Sequence, residues 1–153
     1  MKTQIGPLHV RRSAWIGAPP ERVWPHFESF EAFNAWYGTG HRLIEYEPQV
    51  GGMVVTHAVA DSKPGEALVF SGRVLVCDPP LELTFEQDWL GHGWLAPAKI
   101  TMLLTPVNGG TLVEIIHHGF EATSTSPGEE LNGFEAGWDN HHVLRLRELV
   151  EGG

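Results

Sequence analysis

Residues 129–151 read EELNGFEAGWDNHHVLRLRELVE, the one long stretch of the chain with helical periodicity, and its reading decides the fold. Leu131, Phe134, Trp138 and His142 recur every three or four positions as one stripe, which Val143, Leu146, Leu149 and Val150 extend. A helix of about 23 residues runs roughly 34 Å at about 1.5 Å per residue, enough to cross several neighbouring strands. Gly133 and Gly137 fall inside the stretch, and each costs about 1 kcal/mol relative to alanine in a regular helix. The first turns are therefore expected either to be irregular or to approach a sheet closely.

What precedes this helix reads as strands. Leu8 to Ile16 places Val10, Ala14 and Ile16 on one parity, with Arg12 spoiling the alternation. Gly17-Ala18-Pro19-Pro20 ends that strand and starts a short helix over Glu21 to Phe27, since a proline in the first turn withholds a donor that has no partner there. Ser29 caps a second short helix, along which Phe30, Phe33, Trp36 and Tyr37 form an aromatic stripe before Gly38-Thr39-Gly40. Arg42 to Glu47 and Met53 to Ala58 follow as strands flanking Gly51-Gly52. Asp61 to Gly65 reads as a polar turn, and Ala67 to Cys77 as a long strand.

The clearest two-residue period runs from Leu81 through Leu83, Phe85, Gln87 and Trp89, with Glu82, Thr84, Glu86 and Asp88 expected to face water. Gly91, Gly93 and Pro97 make Leu90 to Ala98 an irregular connection around Trp94. Ile100, Met102 and Leu104 share a strand face, and Asn108-Gly109-Gly110 joins that strand by a tight hairpin to Thr111 to His118. Short links of this kind predict antiparallel pairing: a curved sheet of six or seven strands around a long C-terminal helix, with two short N-terminal helices closing one end.

The 153 residues fit a single domain spanning 1–153, and 42% apolar content supplies a core. Ten Lys and Arg against 19 Asp and Glu leave a formal charge of -9, which disfavours nucleic acid and anionic lipid. Cys77 has no internal disulfide partner, and MKTQIGPLHV does not resemble a secretory signal, so a cytoplasmic protein is expected. No run approaches the roughly 20 apolar residues that cross a bilayer, so membrane insertion is not expected. Monomer and homodimer both remain open.

Several pieces, in order, carry a resemblance. They are Ala18-Pro19-Pro20-Glu21-Arg22-Val23-Trp24, Phe33-Asn34-Ala35-Trp36-Tyr37-Gly38, Gly51-Gly52, and Gly72-Arg73-Val74 with Asp78-Pro79-Pro80. Gly109-Gly110-Thr111, His117-His118-Gly119-Phe120 and Gly137-Trp138 leading to Leu144 and Leu149 continue the series. Over roughly residues 8–150 the chain resembles the START-like (SRPBCC) superfamily, and within it the branch named for activators of the heat shock protein 90 ATPase. The resemblance implies an α+β helix-grip fold around an apolar cavity. It also implies a choice among carrying lipid-like molecules, cyclising polyketides, binding plant hormones and regulating chaperones.

The candidate ligand-binding residues are Phe85, Gln87, Trp89, Trp94, His117, Phe134 and Trp138. His117 shares parity with Val113 and Ile115 and should point inward, whereas His118 should be exposed. Gln87 lies between Phe85 and Trp89 on the apolar parity, where its amide needs a partner from ligand or protein. Trp89, Trp94, Phe134 and Trp138 offer an aromatic surface for a flat or greasy molecule. His57, His117, His141 and His142 lack metal-ligand spacing, so no metal is expected. Cys77 beside Asp78 reads as packing, Glu114 as solvent-facing, and the glycine pairs as turns with no phosphate-loop context; no cofactor is expected.

The leading expectation is noncovalent capture of a small apolar or aromatic molecule between sheet and helix, oriented by His117 or Gln87. A cyclase, dehydratase or hydrolase using His117 with His57 or His142 is the enzyme alternative, although no catalytic set is secured. A regulator of a chaperone ATPase, docking through its sheet or through Leu90, Trp94 and Leu95, is the third.

Overall fold

In the computed structural model, which describes residues 3–38, 41–58 and 68–152, the strands are β1 (His9–Ile16), β2 (His41–Tyr46), β3 (Met53–Ala58), β4 (Leu68–Asp78), β5 (Glu82–Trp89), β6 (Ala98–Val107) and β7 (Gly110–His118). The helices are α1 (Pro20–Val23), α2 (Phe30–Tyr37), α3 (Pro127–Gly137) and α4 (His141–Glu151). The strands form one antiparallel sheet in the order β1-β7-β6-β5-β4-β3-β2, so the expected six or seven strands resolve to seven. The expected turns at Thr39-Gly40 and Asp61 to Gly65, and the start of a strand at Ala67, lie outside the described residues.

Register shifts between Leu43 and Glu45 and between Val74 and Val76 bend the sheet into a half-barrel. Gly72 permits the tightest crossing, because a Cβ there would overlap the Glu86 carbonyl of the neighbouring strand. Asn108 and Gly109 both have positive φ, 52° and 76°, the backbone of a two-residue type I′ hairpin.

The concave face packs on α2 and α4. Ile16, Leu83, Phe85, Ile100, Met102, Val113 and Ile115 meet Phe33, Trp36, Tyr37, Val143, Leu146 and Val150 in one buried cluster. Ser29 Oγ accepts from Ala32 N at 3.1 Å, the cap expected for α2. Phe33 stacks on Tyr46 with centroids 4.1 Å apart, and the Tyr46 hydroxyl donates to the Phe27 carbonyl at 2.5 Å. Under α4 the space between sheet and helix is filled by side chains.

Three expectations need correction. The long C-terminal helix is two helices: Trp138 is extended (φ −83°, ψ 133°), and the chain restarts helically at His141. Asp139 Oδ1 accepts from the His141 amide at 2.9 Å, a local bond that competes with helix continuation, and Gly133 and Gly137 lower the propensity further. The expected first short helix is α1 followed by a separate 3-10 turn, Trp24–Phe27.

The outer face of β5–β7 is not uniformly wet either, because Glu82, Thr84, Thr101 and His118 are all buried. Thr3 Oγ1 donates to Glu82 Oε2 at 2.6 Å, Thr84 Oγ1 donates to the same oxygen at 2.9 Å, and Thr101 Oγ1 lies 2.9 Å from Thr84 Oγ1 and 2.8 Å from His118 Nε2. The segment leading into β1 lies over this ladder, and Leu8 N donates to Glu121 Oε1 at 2.9 Å. Burial, with Lys99 next in effect, pushes the His118 imidazole down to about 4. Glu114 does face outward, where it pairs with Arg11 at 3.1 Å.

Candidate functional site

The break in the C-terminal segment leaves α3 over one end of the concave face without a fully buried side chain. Its anchor is Phe134, half-buried, whose ring meets Phe70 (6.4 Å), Trp89 (6.3 Å), Trp94 (5.9 Å), Phe120 (5.3 Å) and His117 (4.7 Å). A Cβ at Gly133 or Gly137 would meet open space, so the glycines do not serve close approach to the sheet.

Two polar contacts hold the end of this helix. Arg12 rises from β1 and its Nη2 donates to the Glu135 carbonyl (3.2 Å), Glu135 Oε1 (3.1 Å) and the Trp138 carbonyl (3.0 Å). A helix that stops at Gly137 has carbonyls without partners, and a guanidinium there both pairs them and complements the helix dipole. The Trp138 indole Nε1 donates to His117 Nδ1 at 3.0 Å, a reach that its extended backbone allows.

That bond fixes the histidine. With Nδ1 accepting, the neutral ring carries its proton on Nε2, and Nε2 is buried with no hydrogen-bond partner among the described residues. Burial, with His118 adding to it, pushes the His117 imidazole down to about 3, so it is neutral at ordinary pH. Gln87 Oε1 is likewise buried without a partner among the described residues. The concave face thus holds one unmet donor and one unmet acceptor, each costing about 1–3 kcal/mol when left so.

Phe134, whose ring meets His117, also lines a groove of about 410 Å³ with Trp89, Ser126, Glu129, Glu130 and Gly133. It is open at the surface rather than enclosed. Trp94 edges onto Trp89 at 6.0 Å and donates from Nε1 to Glu130 Oε1 at 3.3 Å, fastening the loop after β5 to α3.

Of the seven candidate residues, Trp89, Trp94, His117, Phe134 and Trp138 form one contiguous cluster. Gln87 lies one inward position deeper than Trp89 on β5. Phe85 sits apart in the main core, edge-on to Tyr37 at 6.4 Å. Phe70, Phe120, Arg12 and the two carboxylates were not singled out from the sequence, and of these only Arg12 left a signal, its break in the β1 alternation.

His141 packs on His142 with ring centroids 3.9 Å apart, but His57, His117 and His142 do not converge. His57 alternates with buried Val54 and Thr56 and lies on the outer face. His142 Nδ1 lies 3.2 Å from the Trp36 carbonyl, and the Trp138 ring stands between it and His117, 5.7 Å from one and 5.9 Å from the other. No group of three metal-type ligands occurs among the described residues. Cys77 Sγ donates to the Pro48 carbonyl at 3.2 Å, and burial followed by Asp78 pushes the thiol up, away from nucleophilic thiolate. No helix among the described residues is long and apolar enough to cross a membrane.

A family model described as Activator of Hsp90 ATPase homolog 1-like protein matches residues 17–151. No curated protein matches the chain. Among solved structures, protein CV1439 from Chromobacterium violaceum is 24% identical with a TM-score of 0.67, over 95% of this chain and 99% of that one. A protein from Arthrobacter aurescens is 16% identical with a TM-score of 0.71, over 99% of this chain and 91% of the other. The Aha1 dimer from Colwellia psychrerythraea is 14% identical with a TM-score of 0.62, over 94% of this chain and 96% of that one. At these identities the likeness is one of fold.

Proposed function

Because the chain belongs to the Activator of Hsp90 ATPase homolog 1-like family, within the START-like superfamily, we propose for it a function that this fold permits, the capture of a small apolar or aromatic molecule beneath α3. The observation that carries this reading is a groove walled by Trp89 and Phe134, with His117, whose Nε2 has no partner among the described residues, in ring contact with Phe134. A protein leaves such an atom unpaired at a cost, which a ligand that accepts from it recovers. Desolvation of the rings against Trp89 and Phe134 supplies affinity at about 25 cal/mol per Å² of apolar area.

Mass spectrometry of the purified protein under nondenaturing conditions tests this directly. A reproducible bound compound, lost when Phe134 is changed to alanine, supports capture. If neither a bound mass nor a shift in melting temperature with any of a panel of apolar aromatics is seen, the reading fails.

A second reading is regulation of a chaperone ATPase. The family match and the Colwellia relative favour it more directly than they favour capture. Exposed Leu90 and Leu95 flank Trp94 and offer an apolar docking patch on an acidic protein. Pull-down against the chaperone, followed by its ATPase rate with and without this protein, decides it; no association at micromolar concentrations removes the reading. Catalysis by paired histidines has less support, since His57 and His142 both lie out of reach of His117.

A further inference from the structure

The groove under α3 has a charge as well as a shape. Among the described residues its lining holds two carboxylates, Glu129 and Glu130, one hydroxyl, Ser126, and two π faces, Trp89 and Phe134, but no lysine or arginine. Neither carboxylate forms an ion pair among the described residues; Glu130 accepts only from the Trp94 indole. Arg12, which bonds to α3, is occupied at the far end of the helix by the Glu135 carboxylate and two carbonyls. His117 is uncharged because it is buried. The protein around the groove carries a formal charge of -9, so the long-range field has the same sign as the rim.

At depth the unmet groups among the described residues are one of each kind, the His117 Nε2 donor and a buried acceptor. Gln87, the next inward residue below Trp89, is nine-tenths buried and its Oε1 has no donor. A ligand suited to these groups presents a ring to Trp89 and Phe134, a positive centre to the carboxylates and π faces, and N–H donors to oxygen atoms. Aromatic faces attract cations electrostatically, most strongly when water is excluded. A volume of about 410 Å³ is within the ordinary range for small-molecule sites.

We infer that the groove selects organic cations, specifically protonated primary or secondary amines on an aromatic or alicyclic body. This rests on the capture reading above and narrows it to one chemical class. Anionic amphiphiles such as fatty acids are disfavoured by Glu129 and Glu130, and neutral rings lack the charge term.

The test is calorimetry on the full chain with three probes of one shape: naphthylmethylammonium, naphthylmethanol and naphthoate. The ammonium should bind roughly tenfold or more tightly than the alcohol, with naphthoate weakest. Raising salt should weaken the ammonium and leave the alcohol unchanged. In the double variant Glu129→Gln, Glu130→Gln, ammonium affinity should fall toward that of the alcohol, the remaining gap being the share of the π faces, while glutamine still offers an acceptor to Trp94. Equal or tighter binding of the alcohol or naphthoate overturns the cation assignment and leaves capture standing. Absence of binding by all three overturns both.

Discussion

His117 and Gln87 have opposite unmet needs, and each makes a prediction. An unfolded histidine takes up its proton near about 6.5, whereas folded His117 does so only at about 3. Between those values the unfolded chain binds more protons, so stability is complete above the higher value and is lost as pH falls toward the lower. Urea midpoints should therefore drop from about pH 7 to about pH 4, and drop less in His117→Asn, which does not titrate there. An identical slope in the variant refutes buried neutral His117. For Gln87, removing an unpaired oxygen should help the empty protein: Gln87→Leu is expected to raise stability by about 1 kcal/mol while weakening ligand capture. A loss of stability in urea would mean that the amide already has its partner.

Inward direction was readable at both positions, because strand parity alone points 87 and 117 to the concave side. The burial of Glu82 and His118 was not readable. Parity assigns them correctly to the outer face, but the ladder that buries them runs through Thr3, and nothing in the local pattern of β5 or β7 reports a segment arriving from elsewhere.

At the scale of elements, the two C-terminal helices differ in kind. The α4 helix sinks Val143, Leu146 and Val150 into the core, whereas α3 is held by Phe134, the Arg12 contacts and the Trp138 bond. Amide exchange should accordingly be faster across 127–137 than across 141–151. Arg12→Ala should widen that gap, with a global cost of about 1 kcal/mol. Equal protection of both helices in that variant would show that Arg12 does not hold α3. The heptad-like stripe from Leu131 to Val150 gave no warning of the break. A period reports which side is apolar, not whether the backbone runs through, and Gly137 with Asp139 decided that point locally. The hairpin at Asn108-Gly109 was legible for the same local reason, since few residues tolerate two consecutive positive φ angles.

For the molecule as a whole, the alternation of strands and the resemblance in the order of its motifs were enough to specify a bent antiparallel sheet gripping C-terminal helices. They did not locate the hollow, because volume depends on which large side chains meet. Phe33, Trp36 and Tyr37 join the core cluster beside α4, and a groove opens at α3. Surplus negative charge acts at this scale as well. With -9 over the chain, melting temperature should rise as ionic strength increases toward physiological, since screening relieves self-repulsion. A flat or falling response would mean that paired charges outweigh the net imbalance.

The pairing of β1 with β7 reaches beyond the finished structure. Val10 lies opposite His117, so β1 finds its neighbour only after the five strands between it and β7 have been synthesised. Until then one edge of the nascent sheet has no closing partner, and Arg12 has no helix to hold. Birth order and assembly order are thus reversed at this edge, and a stalled or truncated polypeptide lacking its seventh strand leaves the first one adhesive to any other unpaired backbone it meets.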